Sequence, residues 1–140
     1  KVDLFLAVLE ASIDERAATL EEAAGRAHGP ADMQRVALAQ AVASLAWQAT
    51  LIEFRVHASR HPEINARYLV LHQRTIDNVA RLVSAVAPDA GLEPRELALG
   101  LLAGSIGITL EVLADPALDP EDMRHALAQV AIVEAREATR

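Results

Sequence analysis

The sequence predicts an all-α protein, an antiparallel bundle of about five main helices, and three observations carry that expectation. Apolar residues make up 52% of the 140, and Ala alone supplies 29, while only 4 residues are aromatic. Ala, Leu, Glu and Arg lead the helix scale, so this balance favours helices. The 6 Pro and 6 Gly gather at a few breaks. Between those breaks apolar residues recur at helical spacing, and nothing alternates in the way of a half-buried strand.

The first helix is expected from about Val2 to Arg26, with Phe5, Leu9, Ile13, Ala17, Leu20 and Ala24 on one stripe and the breaker stretch Gly25 to Pro30 at its end. The second starts with Asp32 as N-cap and continues to His61, where Pro62 enforces a stop. The third runs from Pro62, a good first-turn residue, to about Val86. Ile64, Tyr68, Leu71, Thr75, Val79, Leu82 and Val86 form its apolar face, and Arg67, Arg74 and Arg81 recur every seven residues opposite, which reads as a solvated face. Ala87 to Gly91 connects to a fourth helix from Pro94 to about Ala114. Asp115-Pro116 breaks it. Asp119-Pro120-Glu121-Asp122 then starts a fifth, because Asp119 can cap, Pro120 suits the first turn and acids favour the positive helix end.

Two of these helices carry more apolar surface than one stripe needs. On the second, Leu38, Val42, Leu45, Ala49, Ile52 and Val56 gather on one side, and Trp47, Leu51, Phe54 and Ala58 nearly opposite, at about 100° per residue. A helix apolar on both sides belongs between layers, as a central element. Its second stripe is edged by Thr50, Glu53, His57 and Arg60 and by Gln48 and Arg55. An apolar wall with a few polar groups suits a small-molecule cavity; core packing by Trp47 and Phe54 accounts for the same pattern.

The fourth helix is apolar around its circumference. Leu97, Leu101, Gly104, Ser105, Ile108 and Val112 lie on one side, and Leu99, Leu102, Ile106, Leu110 and Leu113 on the other. The fifth adds Met123, Ala126, Leu127, Val130 and Val133. One side of such a pair covers the chain's own core and the other needs a partner. A symmetric dimer with a four-helix interface is expected, built on Leu97, Leu101, Gly104, Ser105, Ile108, Val112, Leu127 and Val130. The alternative is a larger monomeric core.

Composition narrows the function. The chain is one domain, long enough to enclose a core. With 0 Cys, a disulfide framework, a thiolate metal site and a Cys nucleophile are excluded. A net charge of −7 repels a duplex, so these residues by themselves are not expected to bind DNA. The uncharged run Leu97 to Leu110 falls short of the roughly 20 residues a bilayer span needs, so no membrane is expected and a cytoplasmic setting is. Arg outnumbers Lys 12 to 1, which with the Ala content points to GC-rich coding and a bacterial source.

The order of short motifs along the chain resembles the C-terminal domain of TetR-family transcriptional regulators. Lys1, Leu4 and Phe5 match a Ser-Lys-x-x-Leu-Phe stretch that there follows the DNA-binding helix-turn-helix. Trp47-x-x-x-Leu51-x-Glu53-Phe54, then Ala58-x-Arg60-x-Pro62-Glu63, is similar to a signature in that domain. An Arg-studded helix, the step Gly91 to Ala98 and a Gly-containing apolar helix follow in the family's order. The resemblance implies a single effector-binding and dimerisation domain over residues 1–140. Residues 1–28 would be the connector helix to a DNA-binding module that this chain lacks, and DNA would be bound only through that module. It implies a homodimer and a small apolar or amphipathic effector. By position the pocket would use Trp47, Thr50, Leu51, Phe54, His57, His72, Ile76, Ile106 and Leu110.

No catalytic constellation and no cofactor motif is expected. His57 and His61 are four apart on one helix, with Glu53 a turn earlier, but no His-Glu-x-x-His or paired Glu-x-x-His motif accompanies them. Gly104-Ser105-Ile106-Gly107 superficially resembles a nucleophile elbow, yet that elbow follows a strand and here a helix is expected. No phosphate-cradling Gly loop is present. Two functions stay open: an effector-binding regulator domain, or a non-catalytic helical module for protein–protein interaction.

Overall fold

A computed structural model of the chain describes residues 1–26, 45–86, 88 and 91–127. Helix α1 spans Val2–Ala24, α2 Leu45–Ser59, α3 Pro62–Val86 and α4 Pro94–Ala114. A further helix, α5, begins at residue 120 and is described to 127. No strand occurs among the described residues, and the fold is the all-α bundle that the sequence predicts. The expected cap at Asp32, the stripe residues Leu38 and Val42, and Val130 and Val133 of the fifth helix lie outside the described residues.

The helix ends follow local chemistry. α1 stops at Ala24, before Gly25. α2 ends at Ser59, two residues before the expected His61, because the amides of Arg60 and His61 bond three residues back, to His57 and Ala58, and tighten the last turn ahead of Pro62. Gly91 has φ +75°, the left-handed region open to glycine, and turns the chain into α4, whose first residue is Pro94. The Glu121 amide donates to Asp119 Oδ1 at 2.8 Å, so Asp119 caps α5 as its sequence position indicates.

Two apolar clusters hold the bundle. The first joins Leu6, Leu9 and Ile13 of α1, Ala58 of α2 and Tyr68 of α3, with Phe5, Trp47, Leu51, Phe54, Ile64 and Leu71 packed against them. The second joins Ile108 and Val112 of α4 with Leu45 of α2 and Met123 of α5. The two-sided α2 therefore reaches both clusters, as its stripes predict. The helix that packs directly along α1, α2 and α4 is nevertheless α3. Its Ile76 is 2% exposed.

The Arg row of α3 departs from the plain solvated face expected of it. Arg67 pairs with Asp3 at 2.7 Å, Arg74 with Glu10 at 3.3 Å and also with Asp14, and Arg81 with Glu21 at 3.9 Å. The side chains remain in solvent, but they form a ladder across the α1–α3 seam. Sequence periodicity places the arginines on one line; only the neighbouring helix decides whether carboxylates face them. From α4, Arg95 reaches back to Asp77 at 2.5 Å and to Gln73 of α3.

At 21 residues, α4 is long and apolar enough by length and composition to cross a membrane, so the uncharged run alone understated it. It packs on α2 and α3 and buries Ala98, Ile108, Thr109 and Val112 in the bundle. The Thr109 hydroxyl donates to the Ser105 carbonyl at 2.8 Å and so carries no polar cost.

Candidate functional site

All 4 aromatic residues of the chain meet at one junction of α1, α2 and α3. The Phe5 ring stacks on Phe54 at 4.0 Å between centroids and on Trp47 at 5.6 Å. Phe54 in turn meets the edge of Tyr68 at 6.0 Å. Trp47 and Phe54 are seven apart, two turns, so α2 presents them on one line and Phe5 of α1 lies against both. Tyr68 comes from α3, and His72, one turn on, stacks nearly parallel to it at 5.8 Å. Arg55 lies 5.9 Å over the Tyr68 ring.

The electrostatics of the junction favour neutral groups. Burial raises the Tyr68 phenol above its ordinary pKa, against the smaller opposing pull of Arg55. His72 is held below the ordinary histidine value, first by burial and then by Arg55 and Arg95. A neutral imidazole has one donor and one acceptor to offer at the edge of an apolar wall. His57 and His61 lie 4.4 Å apart on the outer side of Phe54. Among the described residues no three His, Cys, Asp or Glu converge as metal ligands.

The residues expected to line a pocket are partly brought together. Trp47, Leu51, Phe54 and His72 belong to the junction or its border, and Ile76 lies one turn beyond His72, deep in the bundle. His57 is exposed beside Phe54. Thr50 is also exposed, with its hydroxyl bonded to the Ala46 carbonyl at 2.9 Å. Ile106 is half-buried on α4, and Leu110 is 45% exposed on the outer side of that helix. Position in the sequence missed Phe5 and Tyr68 as site residues. Their scarcity was the available signal: in a chain with so few aromatics, those at the head of the α1 stripe and on the α3 core face are the natural partners of Trp47 and Phe54.

The expected partner face of α4 needs correction. Ile108 and Val112 are buried in the chain's own second cluster and are not available to a partner. Gly104 faces α5: a Cβ there would lie 3.6 Å from Leu127 Cδ1, so the small residue lets the two helices of one chain approach. Ser105 and Leu97 are half-buried, and Leu101 and Leu127 reach solvent. Val130 lies outside the described residues. The bare side of α4 is instead the one carrying Leu99, Leu110 and Leu113, with Gly100 and Gly107 open beside them.

Two surface grooves lie away from the aromatic junction. One, of about 720 Å³, runs between α1 and α3 along Asp14, Ala17, Ala18, Glu21, Val70, Gln73, Arg74, Asp77, Asn78 and Arg81. The other, of about 540 Å³, lies beside the α3–α4 connection, with Leu97 on its wall.

The described residues thus combine an aromatic junction against the first helix with an exposed apolar side on α4. The comparison with known families adds what this arrangement belongs to. Residues 32–131 match the family described as BetI-type transcriptional repressor, C-terminal. The chain belongs to that family and is a TetR-type C-terminal domain. No curated protein and no solved structure matches the chain.

Proposed function

We propose that this chain is the effector-binding and dimerisation domain of a TetR-like transcriptional regulator, acting in the cytoplasm without a cofactor. A small apolar or amphipathic effector modulates operator binding by a helix-turn-helix that precedes α1. The family match over residues 32–131 carries this reading. The effector site is the α2 wall of Trp47, Thr50, Leu51, Phe54 and His57, together with His72, Ile76 and Ile106. Leu110, on the outer side of α4, is reassigned to the dimer face.

The junction suggests how occupancy is transmitted. Phe5 of α1 stacks on the Trp47–Phe54 wall. An effector that competes for that wall displaces Phe5 and with it the helix that leads toward the DNA-binding module. The effector shifts the equilibrium only by the difference in its affinity for the two positions of α1. In the dimer, Leu99, Leu110 and Leu113 of α4 and Leu127 of α5 face the partner copy.

Sedimentation equilibrium tests the dimer. The wild-type chain is expected at twice its 15.0 kDa mass at micromolar concentration, and Leu99→Arg with Leu110→Arg at the monomer mass. A wild-type monomer contradicts this half of the proposal. For the effector, a panel of small amphipathic compounds is screened by thermal stabilisation with Trp47 emission read in parallel. A stabilising compound should shift the emission, and Phe54→Ala should abolish both effects. Stabilisation with unchanged emission would place the ligand elsewhere and favour a helical interaction module.

A further inference from the structure

Ion pairs join both halves of α1 to α3, but the two halves differ in apolar burial. In the first half Leu6, Leu9 and Ile13 are buried and Phe5 stacks in the aromatic junction. From Asp14 onward no residue of α1 is buried. This second half faces α3 across the open groove of about 720 Å³, whose apolar lining among the described residues is Ala17, Ala18 and Val70, the last 68% exposed. What bridges the groove is charge: Arg74 to Asp14 and Arg81 to Glu21. Both members of each bridge have more than 40% of their side-chain surface in solvent.

Forces of these two kinds answer salt differently. Exposed ion pairs weaken as the Debye length falls from about 10 Å at 0.1 M to about 3 Å at 1 M. Apolar burial does not depend on screening. We propose that the second half of α1, from Asp14 to Ala24, is an electrostatic latch, closed on α3 at low ionic strength and released as ionic strength rises, while the first half stays docked. Asp14, the last carboxylate on the Arg74 rung, marks the hinge. The consequence for regulation rests on the regulator reading given above: ionic strength and effector then act on the same helix, one at its C-terminal half and the other at Phe5. The latch itself requires neither effector nor DNA.

Because the chain has 0 Cys, spin labels can be placed without removing native thiols. Ala18→Cys with Val70→Cys reports the groove, and Val8→Cys with Ala66→Cys reports the docked half. Interlabel distances are measured by pulsed electron spin resonance at low and high KCl, about 0.02 and 1 M, a range over which exposed pairs go from weakly to strongly screened. The groove pair is expected to move outward by about 5 Å or more, roughly one helical pitch, at high salt, and the docked pair to stay fixed. Arg74→Gln with Arg81→Gln should give the long groove distance already at low salt and lose the salt response. These side chains are exposed, so the double variant should keep its helix content, which circular dichroism checks. A groove distance indifferent to KCl, an equal outward shift of both label pairs, or an unaltered salt response in the double variant overturns the latch. Since effector and DNA are absent, failure here leaves the regulator reading intact, and failure of the effector screen leaves the latch intact.

Discussion

Phe5→Ala is the most informative single perturbation of the junction, because one ring links α1 to α2. Truncating a fully buried Phe costs about 3–5 kcal/mol. Phe5 is half-buried, which lowers the transfer and cavity contribution, but it also loses stacked contacts at 4.0 and 5.6 Å. Such aromatic pairs contribute about 0.5–1.5 kcal/mol each beyond area burial. A loss of about 2–3 kcal/mol follows, and at roughly 3 °C per kcal/mol for a chain of this size the thermal midpoint should fall by about 6–9 °C. Phe5→Leu keeps much of the volume and loses the stacking, so its cost should be about 1 kcal/mol. Urea denaturation followed by circular dichroism, at fixed protein concentration because dimerisation would shift the midpoint, gives the free energies. Trp47 emission should move to longer wavelength in Phe5→Ala as its neighbour is removed. If Phe5→Ala costs less than about 0.5 kcal/mol, the level of an ordinary surface substitution, while Phe54→Ala costs several times more, then Phe5 does not clasp α1 and the proposed lever loses its attachment.

Two further results are expected. Ile76→Ala removes the large side chain most completely enclosed among the described residues and should cost about 2–5 kcal/mol by urea denaturation; a loss under about 1 kcal/mol would mean that the α3 core is not packed as described. His72 has a folded pKa below its unfolded value of about 6.5, so the unfolded chain takes up the proton first. Its contribution to stability is complete above about pH 6.5 and declines as pH falls from there toward the folded pKa, then levels off. The stability of His72→Gln should therefore fall less than that of wild type between pH 7.5 and 5.5, and equal slopes would contradict the burial of His72.

The helices were legible because their ends are written locally. Pro62, Pro94 and Asp119-Pro120 act within one turn of themselves, and each marks an end in the structure. The two stripes of α2 were legible for the same reason, since periodicity along one helix is a local property. Relations between helices were not. The carboxylates opposite Arg67, Arg74 and Arg81 lie about 60 residues away in sequence, and nothing local announces that α1 runs beside α3. The side of α4 that turns inward was equally hidden, because a helix apolar all round offers no contrast to read; Leu45 and Met123 decide it by packing on Ile108 and Val112. The aromatic junction was half legible: Trp47 and Phe54 stand out on α2, whereas Phe5 and Tyr68 join them only once three helices meet.

The central claim is that an effector acts at the aromatic junction and moves α1 through Phe5. The chain has 2 Phe residues, Phe5 and Phe54, and both belong to that junction. Fluorophenylalanine incorporation therefore gives two fluorine resonances that report this site alone. In a titration with any compound that stabilises the protein, both resonances should shift in saturable steps at the same ligand concentration. Stabilising binding that leaves both resonances where they were would contradict the account, because it would put the ligand away from the junction and leave α1 undisturbed.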